Sequence, residues 1–221
     1  MAVKNSFGGV SFIEWDEPIR KRDKKTLDTY RVKFSKETEF YKFLQYKFIT
    51  QWKALKKYAN KSGIKIIGDI PIYVAFDSAD TWADPKLFCF DEKGYPTAVA
   101  ECPPDGFSPT GQLWGNPLYD WEYHKKTGYK WWLRRIKHCF ELYDVVRVDH
   151  FRGFDAYYAI PYGDKTAEFG KWMKGPGYEL FGTIKRELGD VDVIAEDQHA
   201  VDSRRKLGLE DEVWRIHEKT G

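Results

Sequence analysis

The stretch Asp144-Val-Val-Arg-Val-Asp149 decides the fold class of this 221-residue chain. It is a short β-branched run that ends in a carboxylate, and a helical repeat of apolar residues over positions 129–142 leads directly into it. A strand that is apolar enough to be covered on both faces is typical of a parallel sheet. The sequence here therefore predicts a helix followed by a buried strand, the repeating unit of α/β proteins.

The same succession of helix and strand occurs twice more along the chain. A helix predicted over residues 35–60, with Ser35 as its N-cap, precedes the run Ile64-Lys-Ile-Ile-Gly-Asp69. A helix predicted over residues 178–188 precedes the run Val191-Asp-Val-Ile-Ala-Glu-Asp197. Three such units predict parallel strands joined by right-handed crossovers.

Each of the three predicted strands ends in an acidic residue, and this feature separates two architectures. Barrels of parallel strands keep their chemistry at the carboxyl ends of the strands, whereas a doubly wound sheet binds its ligand where the strand order reverses. Acids at three successive strand ends favour the barrel. We therefore expect an α/β fold in the form of a partial (β/α)8 TIM barrel.

The chain divides into three regions. Residues 1–34 are expected to form an irregular, charged lead, and residues 35–197 the central β/α units of a catalytic barrel. The stretch between Pro71 and residue 129, which is rich in Gly, Pro and aromatic residues, is expected to be one large loop. Residues 198–221 are expected to form a C-terminal tail.

The composition narrows the choice of partner and compartment. The chain has 36 Lys and Arg residues and 34 Asp and Glu residues, and its formal net charge of +2 gives no general attraction to nucleic acid or to a membrane. It contains no apolar run near the roughly 20 residues that span a bilayer. Three widely spaced cysteines predict reduced thiols in a cytoplasmic protein. The aromatic content of 17% suits an uncharged sugar ligand.

Asp149 and Glu196 are the candidate catalytic pair. Retaining cleavage of a glycosidic bond needs two carboxyl groups about 5–5.5 Å apart, one acting as nucleophile and the other as proton donor. Arg147 lies two residues before Asp149 on the same strand face, and we expect its charge to lower the pKa of Asp149. The apolar residues 193–195 are expected to raise the pKa of Glu196 and make it the general acid.

Asp69 and His150 each have two interpretations. Asp69 either takes part in catalysis or orients the loop that follows Pro71. His150 either donates a hydrogen bond to a sugar hydroxyl or packs as a structural residue. Neighbouring strand residues point to opposite faces, so no metal site is expected from the following group: Asp149, His150, Glu196, Asp197 and His199.

Longer stretches of the chain resemble the 4-α-glucanotransferase (amylomaltase) family, glycoside hydrolase family 77, over roughly residues 7–197. They occur in that family's order: Gly68-Asp-Ile-Pro-Ile-Tyr-Val74, Ala75-Phe-Asp-Ser-Ala-Asp-Thr-Trp-Ala-Asp-Pro85, Pro103-Pro-Asp105, Thr110-Gly-Gln-Leu-Trp-Gly-Asn-Pro-Leu-Tyr-Asp-Trp121, Val146-Arg-Val-Asp-His-Phe-Arg-Gly-Phe154, Lys174-Gly-Pro-Gly177 and Ile194-Ala-Glu-Asp197. Strings of this length are far more specific than a pair of acids.

This resemblance implies a barrel of the α-amylase superfamily, with Asp149 as nucleophile and Glu196 as acid/base. The residues implied to contact the substrate are Asp69, Asp105, Trp114, Arg147 and His150. Residues 103–117 are implied to cover the acceptor side, with Trp114 as a sugar platform; without the resemblance, this tryptophan is equally a buried anchor of the loop. The implied reaction moves α-1,4-glucan segments between oligosaccharides, with no metal or organic cofactor.

The sequence departs from the family pattern in three places. The family's third catalytic acid, an Asp in a Thr-His-Asp motif on a later strand, does not occur in the chain. Gly106 stands where the family has an aromatic residue, and the tail beyond Asp197 diverges. We therefore expect a truncated enzyme whose chemistry is severely impaired in isolation.

Two other functions fit the same residues. One is an α-amylase-like hydrolase, which would cut maltotriose without forming longer products. The other is a non-catalytic glucan-binding module in which Trp82, Trp114 and Phe107 bind the sugar. In that case a complementary chain would complete the barrel.

Overall fold

A computed structural model describes residues 1–104 and 108–196. In chain order the elements are α1 (Ala2–Ser6), α2 (Glu17–Arg20), α3 (Lys24–Lys33), α4 (Ser35–Lys61), β1 (Ile67–Pro71), α5 (Ala79–Ala83), β2 (Ala98–Cys102), β3 (Gln112–Pro117), α6 (Trp121–Lys126), α7 (Lys130–Leu142), β4 (Val145–Asp149), β5 (Ala156–Pro161), β6 (Lys171–Lys174), α8 (Tyr178–Leu188) and β7 (Val193–Ala195). Short 3-10 helices lie at Phe12–Glu14, Pro85–Leu87 and Phe151–Phe154. The predicted α/β fold class is confirmed.

Residues 1–34, predicted to be irregular, are largely helical. Helix α3 begins at a cap, because the Asp23 carboxylate accepts a hydrogen bond from the backbone N–H of Thr26 at 2.8 Å. A small buried cluster holds the segment in place: Phe12, Trp15 and Ile19. The prediction is wrong because charged residues dominate this part of the sequence, so the three apolar residues of the cluster and the capping Asp23 form no recognisable pattern.

The long helix α4 is confirmed, but its start and its apolar face differ from the prediction. Ser35 is its first helical residue rather than its cap, and no side chain caps the helix. Trp52 packs against Tyr143 and donates a hydrogen bond to the backbone oxygen of Leu142 at 2.7 Å. The other members of the predicted apolar stripe with large side chains are exposed within the described residues: Phe40, Leu44, Phe48 and Leu55.

Strands β1, β4 and β7 form a parallel sheet in the order β1-β4-β7. Each strand follows a helix, with α4 before β1, α7 before β4 and α8 before β7, so the three predicted helix and strand units are confirmed. The register places Asp69 beside Arg147 and Pro71 beside Asp149. The carboxyl ends of the three strands therefore meet at one edge of the sheet.

A second sheet occupies much of the region predicted to be one large loop after Pro71. Its strands are antiparallel and lie in the order β3-β2-β5-β6. Strand β2 carries a β-bulge between Ala100 and Glu101 where it pairs with β3, and β3 contains Gly115 and ends at Pro117. These irregularities remove the period-2 pattern by which strands are recognised, so the prediction of a single loop is wrong.

An aromatic core fixes the end of β1 against helix α7. Trp132 is fully buried, and its ring lies edge-on to that of Tyr119 with centroids 5.4 Å apart. Arg135, on the same helix, donates hydrogen bonds to the backbone oxygens of Pro71 at 2.5 Å and Ile72 at 3.0 Å. Helix α7 therefore fixes the end of strand β1, which carries Asp69.

Glu101 on β2 is a buried acid without a partner. Its side chain is 1% exposed, and neither carboxyl oxygen has a hydrogen-bond partner within the described residues. Its cross-strand neighbours are Leu113 and Tyr158. Burial, and to a smaller extent the charge of Asp164, raises the pKa of Glu101 from 4.5 to about 7.

Replacing Glu101 by Gln is expected to remove a pH dependence of stability. Because its pKa is raised on folding, ionisation opposes the folded state, and the parent protein loses stability as the pH rises from 4.5 to about 7. The Gln variant lacks this loss, about 3 kcal/mol at most, and should be the more stable protein above pH 7. Urea unfolding across this pH range measures the difference. Asp164→Asn is the control: it removes only the smaller cause of the raised pKa, so its free energy of unfolding should still fall with pH, but less steeply than that of the parent. A stability difference between variant and parent that is equal at every pH would contradict the prediction.

Candidate active site

Four side chains singled out in the sequence meet at the carboxyl edge of the parallel sheet. Asp69 lies on β1, Arg147 and Asp149 lie on β4, and Glu196 directly follows β7. The backbone N–H of Glu196 donates to the carbonyl oxygen of Val148 at 3.1 Å, which holds the acid beside β4. The sheet thus gathers groups that are distant in sequence.

The guanidinium group of Arg147 lies at the centre of these four side chains. It forms an ion pair with Asp69 through Nη1. Its Nη2 lies 3.3 Å from Oε1 of Glu196 and 3.9 Å from Oδ1 of Asp149. A single cation therefore faces three carboxyl groups, and the cluster is negative whenever all three are ionised.

The pKa of Asp149 is raised, whereas Arg147 was predicted to lower it. Burial is the largest cause, followed by a hydrogen bond to Glu196 and by the charge of Glu196. Arg147 does act to lower this pKa, but its longest contact in the cluster is the one to Asp149. Asp149 and Glu196 are therefore neighbours that both face Arg147.

Glu196 does not have the apolar surroundings predicted from residues 193–195. Its side chain is 42% exposed and contacts Arg147, and it accepts a hydrogen bond from the backbone N–H of His150 at 3.3 Å. Val193 and Ala195 are buried in the core instead. The prediction is wrong because side chains alternate along a strand, so these two residues face away from Glu196.

His150 and Trp114 lie together beside the acids. His150 has left-handed backbone angles, φ 53° and ψ 49°, at the start of the 3-10 helix Phe151–Phe154. The ring of Trp114, from β3, lies edge-on to the His150 ring with centroids 4.9 Å apart. Because Trp114 is 37% exposed, it is not the buried loop anchor considered as an alternative. The second sheet thus brings an aromatic face to the edge of the first.

Gly153 is a close-packed position behind His150 that the sequence reasoning missed. A methyl group placed there would lie 2.8 Å from Cδ1 of Ile72, 3.2 Å from the Tyr73 hydroxyl and 3.3 Å from Cδ2 of His150. Gly153 lies in the motif Val146–Phe154 that resembles the family, but the spacing of residues does not distinguish a glycine needed for close packing from one needed for a turn.

Replacing Gly153 by Ala is expected to destabilise the fold by about 1–3 kcal/mol, because the added methyl group overpacks this position. Urea unfolding measures the loss. Gly182→Ala is the matched control, since its methyl group would meet only Tyr178 at an ordinary 3.4 Å, and alanine is the better residue inside helix α8. A Gly153→Ala protein as stable as the parent would show that the position has room to relax.

Several predicted residues lie outside the described ranges. They are Asp105, Gly106, Phe107 and residues 197–221, which include Asp197, His199 and the predicted tail. Among the described residues, no group of three or more His, Cys, Asp or Glu side chains is arranged to hold a metal ion. In the same ranges, no helix combines the length and apolar character needed to cross a bilayer.

Trp82 belongs to the packing of the N-terminal segment. Its ring lies 5.3 Å from that of Trp15, and its Nε1 donates a hydrogen bond to the backbone oxygen of Ile19 at 3.2 Å. Of the aromatic residues considered for a binding module, Trp82 therefore lies apart from the acids, while Trp114 lies beside them.

Barrel enzymes keep their chemistry at the carboxyl edge of parallel β/α units, and retaining glycosidases use a pair of carboxyl groups, so the site has the form found in α/β glycosidases. The model of the 4-alpha-glucanotransferase family, glycoside hydrolase family 77, matches residues 1–206. The chain belongs to this family, and the resemblance found in the sequence is confirmed.

Several 4-alpha-glucanotransferases are similar to the chain. The enzyme of Clostridium butyricum is 51% identical over 198 residues, which are 89% of this chain and 41% of that enzyme. The enzyme of Streptococcus pneumoniae strain TIGR4 is 49% identical over 223 residues, covering 100% of this chain and 42% of that enzyme. The chain thus spans about two fifths of the length of these relatives.

Solved structures agree with this assignment. An amylomaltase from Streptococcus agalactiae in complex with acarbose superposes with a TM-score of 0.88 and 45% identity, over 94% of this chain and 43% of that chain. An amylomaltase from Corynebacterium glutamicum shares the fold, with a TM-score of 0.67 and 24% identity over 79% of this chain and 25% of that chain.

Proposed function

We propose that the chain carries the nucleophile and the acid/base of a 4-α-glucanotransferase, which moves α-1,4-glucan segments between oligosaccharides by a retaining double displacement. The observation that carries the proposal is the contact between Asp149 and Glu196 beside Arg147 at the carboxyl edge of the sheet. A pair of carboxyl groups, one protonated and the other ionised, supplies both an acid and a nucleophile.

In the first step, Glu196 protonates the glycosidic oxygen while the Asp149 carboxylate attacks the anomeric carbon. The bond to the leaving chain breaks, and a covalent glucosyl-enzyme forms. In the second step, Glu196 takes the proton from the 4-hydroxyl of an acceptor glucan, whose oxygen displaces Asp149. Both side chains return to their starting states, and the anomeric configuration is retained.

Arg147 supports both steps by stabilising whichever carboxyl group is ionised, since it contacts both. The retaining reaction requires the proton on Glu196 and the negative charge on Asp149 when a sugar ring lies between them. Asp69, through its ion pair, fixes Arg147 in this position.

Substrate contacts are proposed for Asp69, Asp105, Trp114, Arg147 and His150. Trp114 and His150 give a partly apolar wall next to the acids, suited to the apolar face of a pyranose ring. Such a wall also excludes water, which favours a glucan acceptor over hydrolysis. Further β/α units, in the same polypeptide or in a complementary chain, are proposed to complete the barrel and to supply the third acid. The location is proposed to be cytoplasmic, where the thiols of Cys89, Cys102 and Cys139 remain reduced.

Incubation with maltotriose of the protein together with the further β/α units that complete its barrel tests the proposal, because the products separate the three functions considered. Oligosaccharides longer than maltotriose, seen by mass spectrometry, are expected from transfer. Glucose and maltose without longer products would instead indicate a hydrolase. Binding of maltotriose without any conversion would indicate a glucan-binding module.

A further inference from the structure

Two tyrosines form an exposed aromatic surface away from the four residues of the candidate active site. Tyr95 and Tyr162 are 37% and 45% exposed. Their ring centroids lie 5.9 Å apart with the planes inclined at 34°. Within the described residues neither hydroxyl group has a hydrogen-bond partner, so both remain available to a ligand.

The pair is held rigidly although it is exposed. Phe76 lies beneath both rings, 6.3 Å from each by centroid distance. The Asp91 carboxylate accepts a hydrogen bond from the backbone N–H of Tyr95 at 2.9 Å, which fixes the turn that carries this residue. Tyr162 is fixed by its backbone N–H, which donates to the carbonyl oxygen of Thr97 at 3.3 Å. Little conformational entropy is therefore lost when a ligand stacks on these rings.

The surface is connected to the candidate active site through the segment between Val74 and Phe76. Asn116, two residues after Trp114 on β3, donates a hydrogen bond to the backbone oxygen of Val74 at 2.9 Å, and Phe76 then supports the tyrosines. Thr97 immediately precedes β2 and Tyr162 immediately follows β5, so the tyrosines border the antiparallel sheet that carries Trp114.

We infer that Tyr95 and Tyr162 form a second contact surface for an α-1,4-glucan chain, outside the point of cleavage. The inference rests on the proposed function for the identity of the ligand. Tyrosine suits a sugar because its ring stacks on the apolar face of a pyranose while its hydroxyl bonds to the polar rim. Such a surface would hold long chains and would leave short ones unaffected.

Affinity electrophoresis in gels that contain soluble starch tests the inference, with maltotriose conversion measured on the same proteins. The double variant Tyr95→Ala/Tyr162→Ala is expected to bind starch roughly tenfold more weakly, from the loss of two stacking contacts. Its conversion of maltotriose should equal that of the parent. The double variant Tyr95→Phe/Tyr162→Phe, which keeps the rings, should retain most of the binding.

The outcomes separate this inference from the proposed function. Unchanged starch binding by the double Ala variant would overturn the second surface and leave the proposed function intact. A parent protein that binds starch through the tyrosines but makes no longer oligosaccharides from maltotriose would overturn the proposed function alone. Thermal unfolding of each variant shows whether it is folded.

Discussion

Replacing Asp149 by Asn is expected to lower glucan transfer by roughly a thousandfold or more, because the amide cannot form the covalent glucosyl intermediate. The same substitution should raise the melting temperature at neutral pH. Burial and the charge of Glu196 both oppose ionisation of Asp149, so a neutral side chain of the same shape removes an unfavourable charge. The combination of lost activity and gained stability is characteristic of a residue kept for its chemistry.

Product analysis with maltotriose and thermal unfolding measure the two effects. Glu196→Gln should show the same combination, since it also removes one of the paired carboxyl groups. Asp28→Asn is the matched control, because Asp28 is an exposed acid paired with Arg31 on helix α3 and should change neither quantity appreciably. Transfer at the parental rate by the Asp149→Asn protein would rule out this residue as the nucleophile.

Replacing Arg147 by Met is expected to reduce transfer by roughly a hundredfold and to weaken the fold by about 1 kcal/mol at neutral pH. Three carboxyl groups then face one another without a cation. The loss of stability is kept small by solvent screening, since the side chains of Asp69 and Asp149 are about half exposed. Because Arg147 lowers the pKa of Asp149, its removal should raise that pKa further.

The pH dependence of this variant has a defined sign. When carboxyl pKa values are higher in the folded than in the unfolded protein, stability falls as the pH rises through the interval between them. The Met variant should therefore approach the parent in stability under acidic conditions and fall behind it towards neutral pH. Urea unfolding at several pH values measures the difference in stability. Arg147→Lys is the comparison variant, since it keeps the positive charge but lacks the two guanidinium nitrogens that contact different carboxyl groups. A Met variant with the parental pH profile would contradict the central role given to Arg147.

Much of the parallel sheet could be predicted because its strands are short, apolar and preceded by regular helices. Helix α8 matches its predicted residues, and α7 begins one residue later than predicted. The antiparallel sheet could not be predicted in the same way, since its strands contain a bulge at Ala100 and a glycine at position 115, and its pairs join residues far apart in sequence. Local periodicity carries no information about such pairings.

For the candidate site, the strand ends predicted from the sequence bring Asp69, Arg147, Asp149 and Glu196 to one edge, as the structure does. The electrostatics could not be predicted from spacing, because the pKa of Asp149 is raised first by burial and then by Glu196, and both arise only in the folded protein. Arg147 lowers that pKa but lies closer to Asp69 on the neighbouring strand than to Asp149. The close packing at Gly153 likewise arises only when Ile72 and His150 are brought together in space.

The position of Arg147 on the strand also has a consequence for the newly made chain. Asp69 leaves the ribosome 80 residues before Asp149, about 4–16 s earlier at usual rates of synthesis. Arg147 of strand β4 is synthesised next, two residues before Asp149, and Glu196 is the last of the four to be synthesised. Arg147 is therefore already present in the nascent protein when Asp149 and then Glu196 are added to it.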